Sequence, residues 1–205
     1  MRIVNEPAVL LATTNPGKLR EMRQLLRPLP LSVADPGTLG LWLHVEETGA
    51  DYGENARLKA QAYAAASGWF TLADDTGLEV HVLGGAPGLH SARLLQPGAT
   101  DGDRRRRLLE LLRPLPRPWT ARFRCAMALA GPDGQIDLAY GECTGEIVPD
   151  PRGGEGFGYD PLFEVEATRR TMAELLLQEK NQISHRARAL GALLPSLRRR
   201  LGLPG

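Results

Sequence analysis

Two adjacent acidic residues interrupt an apolar stretch of the sequence. Asp74 and Asp75 follow the run Trp69–Ala73 and precede Thr76-Gly77, after which the chain becomes apolar again. Adjacent side chains of an extended backbone point to opposite faces, so we expect one carboxylate to face a site and the other to cap the turn or pair with a base such as Lys59. A solvated Asp-rich turn is the common alternative. Because open α/β sheets often carry site residues at the carboxyl ends of their strands, the pattern favours a strand that ends at Asp74 beside a site.

A second acidic pair, Glu46-Glu47, also precedes a Thr-Gly dipeptide. Hard cations such as Mg²⁺ bind oxygen ligands and often combine one or two carboxylates with phosphate oxygens and water. The two acidic pairs are therefore candidate ligands of a divalent cation.

The segment TTNPGK, residues 13–18, predicts the start of a helix. Thr or Asn is a favoured N-cap, and Pro16 suits the first helical position. The free N–H groups and the positive end of the helix dipole attract anions, and Lys18 adds a full positive charge there. The spacing is not that of a Walker motif. A phosphate site is one interpretation, and an ordinary capped helix with a surface lysine is the other.

The segment EKNQISHRARAL, residues 179–190, predicts another helix start, with Ser184 as the N-cap. His185 and Arg186 then lie in the first turn, where positive charge opposes the helix dipole. That arrangement is reasonable if an anion or a polar ring binds there, and an exposed basic helix is the alternative. The run RRRR, residues 104–107, is predicted to be a solvated face.

The elements that must position these residues form a mixed pattern. Strands alternate with helices early in the chain, and a long hairpin comes late, which together predict an α/β fold with a mixed sheet. The predicted strands cover residues 8–12 and 78–83, and a further strand ends at 74. Residues 119–148 are predicted to form the hairpin, and 151–161 a loop. One predicted helix begins at 16, and the others cover about 54–67, 104–112, 172–179 and 184–201.

The composition narrows the setting of the protein. The 205 residues include 25 basic and 24 acidic ones, so bulk charge gives no support for binding to nucleic acid polymers or to a membrane surface. No run approaches the roughly 18 apolar residues of a spanning helix, and the N-terminus lacks the features of a signal peptide. Cys125 and Cys143 have no metal-type spacing, so we expect a reduced, cytoplasmic environment.

Seven short motifs in this order resemble the inosine triphosphate pyrophosphatase family: TTNPGK, EETG, ENARLKA, ADDTGLEV, GGAPGLHSAR, GFGYDP and SHR. The resemblance runs from about Val9 to Leu197. It implies a single nucleoside triphosphate pyrophosphatase domain over 1–205, with an elongated α/β fold of two lobes, a central mixed sheet flanked by helices, and a deep active-site cleft. It also implies a homodimer that uses one or more Mg²⁺ per subunit to hydrolyse ITP, dITP or XTP at the α–β phosphate bond, giving the monophosphate and pyrophosphate.

The same resemblance assigns roles to individual residues. It implies that Asp75 accepts the proton of the attacking water, and that Asp75, Glu47 and Glu46 hold the metal. The residues that it assigns to substrate binding are Thr13, Thr14, Asn15, Pro16, Gly17, Lys18, Lys59, Thr76, Arg93, Phe157, Gly158, Tyr159, Asp160, Lys180, His185 and Arg186.

The base-binding residues suggest a physical basis for selectivity. Phe157 offers a face on which a purine can stack. Lys180, His185 and Arg186 can donate to a 6-oxo group, whereas the exocyclic amine of adenine would leave those donors unpaired. Three rival interpretations stay open: a relative that cleaves modified pyrimidine nucleotides, a nucleotide-binding module without catalysis, and a phosphotransferase.

Overall fold

The structure is a computed structural model that describes residues 7–204, and within this range it contains both helices and strands. The strands are β1 (Ala8–Leu11), β2 (Ser32–Ala34), β3 (Phe70–Val80), β4 (Pro87–Gly88), β5 (Thr120–Ala130), β6 (Ile136–Ile147) and β7 (Phe163–Val165). The helices are α1 (Pro16–Leu26), α2 (Tyr52–Ser67), α3 (Asp101–Leu112), α4 (Leu177–Ile183) and α5 (His185–Leu201). The predicted α/β class is confirmed.

The strands form one sheet in the order β2-β1-β3-β5-β6-β7, with β4 paired to β3. Strand β1 is parallel to β2 and β3, whereas β4 is antiparallel to β3 and β7 is antiparallel to β6. Val9 and Leu10 of β1 are fully buried, as the continuous apolar run of a strand with two parallel neighbours requires. The prediction of a mixed sheet is therefore confirmed.

Strand β3 corrects one sequence-based prediction. It continues without a break from Phe70 to Val80, so Asp74 does not end a strand and no second strand begins at Leu78. Residues His81–Leu83, predicted to belong to that second strand, form a turn of 3₁₀-helix. The strand passes through two adjacent acids because each of them has cationic partners, which are described below.

The hairpin predicted over 119–148 is present as β5 and β6. The two strands are neighbours in the sheet and are joined by the five residues 131–135. Gly134 adopts a φ of 78°, in the left-handed region that glycine enters without steric cost. The predicted hairpin is therefore confirmed, and Gly134 lies in the turn that joins its strands.

Helix boundaries agree with the prediction best where the N-cap was identified in the sequence. Asn15 caps α1 and Pro16 is its first residue, as expected. Helix α2 begins at Tyr52 and α3 at Asp101, a few residues before the predicted starts, because Asp51 and Thr100 are the N-caps. The helix predicted over 172–179 is wrong: a 3₁₀-turn at Met172–Glu174 is followed by extended residues, and α4 starts only at Leu177.

The chain packs as two compact units. Unit 1 comprises the chain up to Asp75, Ala126–Gly141 and the chain from Arg186 onward, and its buried residues include Leu10, Leu26 and Ala60. Unit 2 comprises Thr76–Cys125 and Glu142–His185. Its apolar core includes Leu108, Leu112, Phe123, Phe163 and Met172. The single domain, the elongated shape and the cleft stay predictions.

Within residues 7–204, no helix is both long enough and apolar enough to cross a membrane.

Candidate active site

The loop between β1 and α1 forms the helix start that the sequence predicted. The Asn15 side chain accepts a hydrogen bond from the Lys18 backbone N–H at 3.1 Å, and the Thr13 hydroxyl accepts one from the Asn15 N–H at 3.2 Å. Thr14, Asn15 and Pro16 are exposed. An exposed helix N-terminus with its dipole is suited to an anion, so the geometry is compatible with the predicted phosphate loop.

Asp74 lies buried in unit 1 between two cations. Its carboxylate is 3.0 Å from Lys18 Nζ and 3.0 Å from Arg186 Nη2. Burial by itself raises the pKa of Asp74, but the charges of Lys18 and Arg186 outweigh it and hold the pKa well below its usual range. Asp74 is therefore a permanent anion whose partners include the lysine of the α1 start.

Arg186 is buried, which excludes the alternative of an exposed basic helix at this position. It is 1% exposed, and its guanidinium donates to Asp74 and to Glu21 of α1. These contacts place it in a buried charge cluster of unit 1, and its contact with a base stays a prediction. Glu21 was not predicted, because its sequence context is that of an ordinary surface position on an amphipathic helix.

Asp75 has partners of its own, as the alternation of side chains in a strand predicts. Asn55 Nδ2 donates to its carboxylate at 3.0 Å, and Lys59 Nζ lies 3.7 Å away. Burial raises the pKa of Asp75 although Lys59 and Lys18 oppose the shift. A carboxylate with a raised pKa is a better proton acceptor than an ordinary one.

Asn55 is a site residue that sequence analysis did not name. Its side-chain oxygen accepts the Gly49 N–H at 2.8 Å while its amide group donates to Asp75. It therefore links the loop that carries Glu47 to the acid on β3. The available signal was its spacing, since Asn55 and Lys59 are four residues apart and share one face of α2.

Lys59 joins two of the predicted acids. Its ammonium group is 2.6 Å from Glu47 Oε1 and 3.7 Å from Asp75 Oδ1. Burial lowers the pKa of Lys59, but the negative charges of Asp75, Asp74 and Glu47 outweigh it and raise that pKa. Lys59 is therefore protonated and offsets the charge of both acids.

The predicted acids are only partly assembled for metal binding. Glu46 is exposed and has no hydrogen bond or ion pair to any residue of the range 7–204. In the same range, no group of three or more His, Cys, Asp or Glu side chains could hold a metal ion. Two carboxylates, Glu47 and Asp75, converge on one cation, and Mg²⁺ commonly binds one or two carboxylates with phosphate oxygens completing its shell. The residues present therefore fit a magnesium ion that arrives with a phosphorylated ligand.

Residues 156–160 of unit 2, called here the aromatic loop, are ordered around a buried acid. The Asp160 carboxylate accepts the Phe157 N–H at 2.8 Å and pairs with the buried Lys180 ammonium. A Cβ at Gly156 would lie 2.1 Å from that carboxylate, so only glycine fits there. Lys180 Nζ also lies 5.1 Å from the centre of the Phe157 ring. Phe157, Asp160 and Lys180 are thus brought together, and their contact with a base stays a prediction.

The other predicted residues of unit 2 lie on several elements of that unit. His185 is buried and stacks on Phe123, with ring centres 4.7 Å apart. Tyr159 donates its hydroxyl hydrogen to the Ser91 carbonyl at 2.9 Å, next to the exposed Arg93. Burial raises the pKa of Tyr159, so the hydroxyl stays protonated and keeps this bond. Thr76 is half-buried in β3.

The basic run 104–107 is not the solvated face that was predicted. Arg104 Nε donates to the Ala92 carbonyl at 3.0 Å, and Arg105 Nη1 donates to the Gly158 carbonyl at 2.7 Å. Only Arg106 and Arg107 are exposed, with acidic partners on their own helix. The prediction was wrong because the partners of Arg104 and Arg105 are backbone carbonyls of distant segments, which the charges of the run itself do not indicate.

Comparisons with known proteins agree with the motif order. Residues 9–196 match the family model described as the Ham1 family. The chain is 44% identical over 192 residues to the dITP/XTP pyrophosphatase of Desulforamulus reducens, covering 93% of this chain and 96% of that protein. It is 48% identical over 187 residues to the dITP/XTP pyrophosphatase of Thermus thermophilus, covering 91% of this chain and 89% of that protein. A solved structure of a HAM1 protein from Coxiella burnetii superposes with a TM-score of 0.84 at 40% identity, covering 94% of this chain and 99% of that one.

Proposed function

This chain belongs to the Ham1 family, and on that premise we propose that it hydrolyses non-standard purine nucleoside triphosphates such as ITP, dITP and XTP to the monophosphate and pyrophosphate. The two relatives compared above bear the name dITP/XTP pyrophosphatase, at 44% and 48% identity. Removal of such nucleotides keeps them out of DNA and RNA.

One observation supports the chemistry most directly: Lys59 holds Glu47 and Asp75 together in unit 1. Each acid comes from one of the two acidic pairs found in the sequence, and the Lys59 ammonium lies close to both. Reactions at phosphorus depend on positioning and charge stabilisation more than on covalent chemistry, and two acids held beside one cation can provide both.

Glu47 and Asp75 are the residues that would hold Mg²⁺, with substrate phosphates as further ligands. When bound, the ion would neutralise phosphate charge and stabilise the charge that develops during bond cleavage. Glu46 is proposed to have at most a minor part because of its exposure.

The residues of the chain have distinct parts in the proposed reaction. Residues 13–18 bind phosphate oxygens through the α1 N-terminus, and Lys18 is held there by Asp74. Asp75 accepts a proton from the attacking water, whose oxygen forms the new bond to phosphorus as the α–β anhydride bond breaks. Pyrophosphate leaves with the electron pair of that bond. Asn55 keeps the Asp75 carboxylate oriented through its hydrogen bond.

The aromatic loop is proposed to recognise the base. Phe157 provides a stacking surface, worth about 1–3 kcal/mol by analogy with other base–aromatic contacts. The Lys180 ammonium next to that ring can donate to a 6-oxo group, which inosine and xanthine have and adenine lacks. We also infer from the resemblance that the enzyme is a cytoplasmic homodimer.

The test is a turnover assay with Mg²⁺ on ITP, dITP, XTP, GTP and ATP, in which pyrophosphate is separated from orthophosphate. Fast release of pyrophosphate from the first three substrates, and slow release from GTP and ATP, is the expected result. A nucleoside diphosphate product would instead indicate a phosphotransferase. Tight binding without turnover would indicate a binding module, and a preference for modified pyrimidine nucleotides would contradict the proposed base recognition.

A further inference from the structure

We propose that the first turn of α3 positions the aromatic loop, and that Asp101 and Arg105 set nucleotide affinity through Gly158. The inference rests on the proposed function, because it assigns base recognition to this loop. Neither residue belongs to the segments whose motifs carry the family resemblance. Both are positioning residues, since they act through the backbone between Phe157 and Tyr159.

Both backbone polar groups of Gly158 are bound by α3. The Asp101 carboxylate accepts the Gly158 N–H at 2.7 Å, and Arg105 Nη1 donates to the Gly158 carbonyl at 2.7 Å. Gly158 has a φ of 60°, a left-handed conformation in which glycine gives little resistance to rotation. The hydrogen bonds from α3 therefore fix the backbone of Gly158, which would otherwise be free to change conformation.

The helix start that makes these contacts is itself fixed. Thr100 and Asp103 form a reciprocal capping box at the N-terminus of α3. Farther along the helix, Leu108 and Leu112 are fully buried in the core of unit 2. A rigid helix thus holds a glycine-rich loop, and the loop gains its order from the helix.

A second connection joins the same turn to the segment that carries Arg93. Arg104 binds Asp101 at 3.0 Å and the Ala92 carbonyl at 3.0 Å. Tyr159 of the aromatic loop donates to the Ser91 carbonyl. Two loops that sequence analysis assigned to substrate binding are therefore linked through one helical turn.

The consequence concerns binding more than chemistry. If the contacts to Gly158 are lost, the Phe157 ring samples more positions and must be ordered when a base stacks on it. That cost applies to the bound substrate and the transition state alike, so it raises KM and leaves kcat nearly unchanged. A general loss of folded protein does the reverse, because it lowers the apparent kcat and leaves KM unaltered.

The experiment is steady-state kinetics with ITP on Asp101→Ala and Arg105→Ala. Each variant loses one partly exposed hydrogen bond between a charged side chain and Gly158. We therefore expect the KM of each to rise about five- to tenfold, with kcat within about twofold of wild type. Arg106→Ala is the matched control, since Arg106 lies on the same helix and is exposed. Asp101→Asn is expected to restore KM to within about twofold, because its amide oxygen can still accept the Gly158 N–H.

A base-free probe separates positioning of the base from general damage. Inorganic tripolyphosphate lacks a base, so its inhibition constant is expected to stay within about twofold of wild type in all variants. Arg105→Met keeps the aliphatic stem and provides the same test if Asp101→Ala does not fold. The inference is overturned if the variants are active with an unchanged KM for ITP, or if the KM for ITP and the inhibition constant of tripolyphosphate rise equally. Either result leaves the proposed function intact. A wild-type chain without turnover would refute the proposed function as well.

Discussion

The acidic cluster of unit 1 and the aromatic loop of unit 2 both contain a buried ion pair, but they are held in different ways. In unit 1, the charges lie on strand β3 and on helices α1, α2 and α5, and they hold one another: Asp74 binds Lys18 and Arg186, and Asp75 binds Lys59. In unit 2, the Asp160–Lys180 pair orders a loop whose middle residue, Gly158, depends on hydrogen bonds from α3.

This difference indicates what each region contributes. Charges on regular elements are fixed by the fold, which suits chemistry that needs a constant electrostatic field. A loop held by a few hydrogen bonds suits recognition, where small changes in position alter affinity. Substitutions in the first region should therefore affect kcat or stability, and substitutions in the second should affect KM.

The largest effect is expected for Asp75→Asn. The amide cannot accept a proton and is a poor metal ligand, and loss of a general base lowers kcat by about 10²–10⁴-fold. The measurement is pyrophosphate release from ITP under saturating substrate, together with nucleotide binding, which should largely persist. Asp51→Asn, at the exposed N-cap of α2, is a suitable control because, among residues 7–204, the Asp51 side chain accepts only the Glu54 N–H. Turnover within a few-fold of wild type would remove Asp75 from the role given to it.

The next effect is on stability, for Arg186→Met. It leaves Asp74 and Glu21 buried with one cation fewer, and breaking a buried pair in this way costs about 3–5 kcal/mol. The free energy of unfolding from urea denaturation is the measurement. Arg199→Met, in the same helix but with an exposed guanidinium, should cost about 0–1 kcal/mol.

A second substitution sharpens this result. Combining Arg186→Met with Glu21→Gln removes one of the two carboxylates that lose Arg186 as a partner, so the double variant should be more stable than the single one. Equal losses in Arg186→Met and Arg199→Met would mean that the buried cluster contributes no more than a surface pair.

The same comparison explains what could be predicted from sequence. The capped start of α1, the hairpin, and the separate partners of Asp74 and Asp75 follow from local rules: N-cap chemistry, turn residues and the alternation of side chains. The continuity of β3 does not, because the cations that make it possible are 56 and 112 residues away from Asp74 in the chain.

The hydrogen bonds that hold the aromatic loop could not be predicted for the same reason. Arg105 and Asp101 are 53 and 57 residues from Gly158, and their partners are backbone groups, which leave no mark on side-chain composition. The sequence of the basic run 104–107 therefore predicted a solvated face. Asn55 was more accessible, since its spacing from Lys59 on α2 was a usable signal.

A moderate effect on affinity is expected for Phe157→Ala. Loss of a stacking face worth about 1–3 kcal/mol should raise the KM for ITP by roughly 5- to 150-fold, with little change in kcat. Phe157→Trp keeps an aromatic face and should stay close to wild type. A fall in kcat with an unchanged KM would show that the aromatic loop contributes to chemistry, and the contrast between the two regions would fail.

The smallest effect is expected for Glu46→Gln, and its value lies in the comparison with Glu47→Gln. Glu47 binds Lys59 beside Asp75, whereas Glu46 is exposed. We expect Glu47→Gln to raise the Mg²⁺ concentration needed for half-maximal turnover by about 10–100-fold, in line with the loss of a residue that supports a metal site. Glu46→Gln should stay within about twofold, because a solvated carboxylate that the fold does not orient contributes little to a metal site. The two variants remove the same charge from adjacent positions, so any difference between them reports on position alone. Equal effects would mean that both acids reach the metal, and that the loop before α2 rearranges when substrate binds.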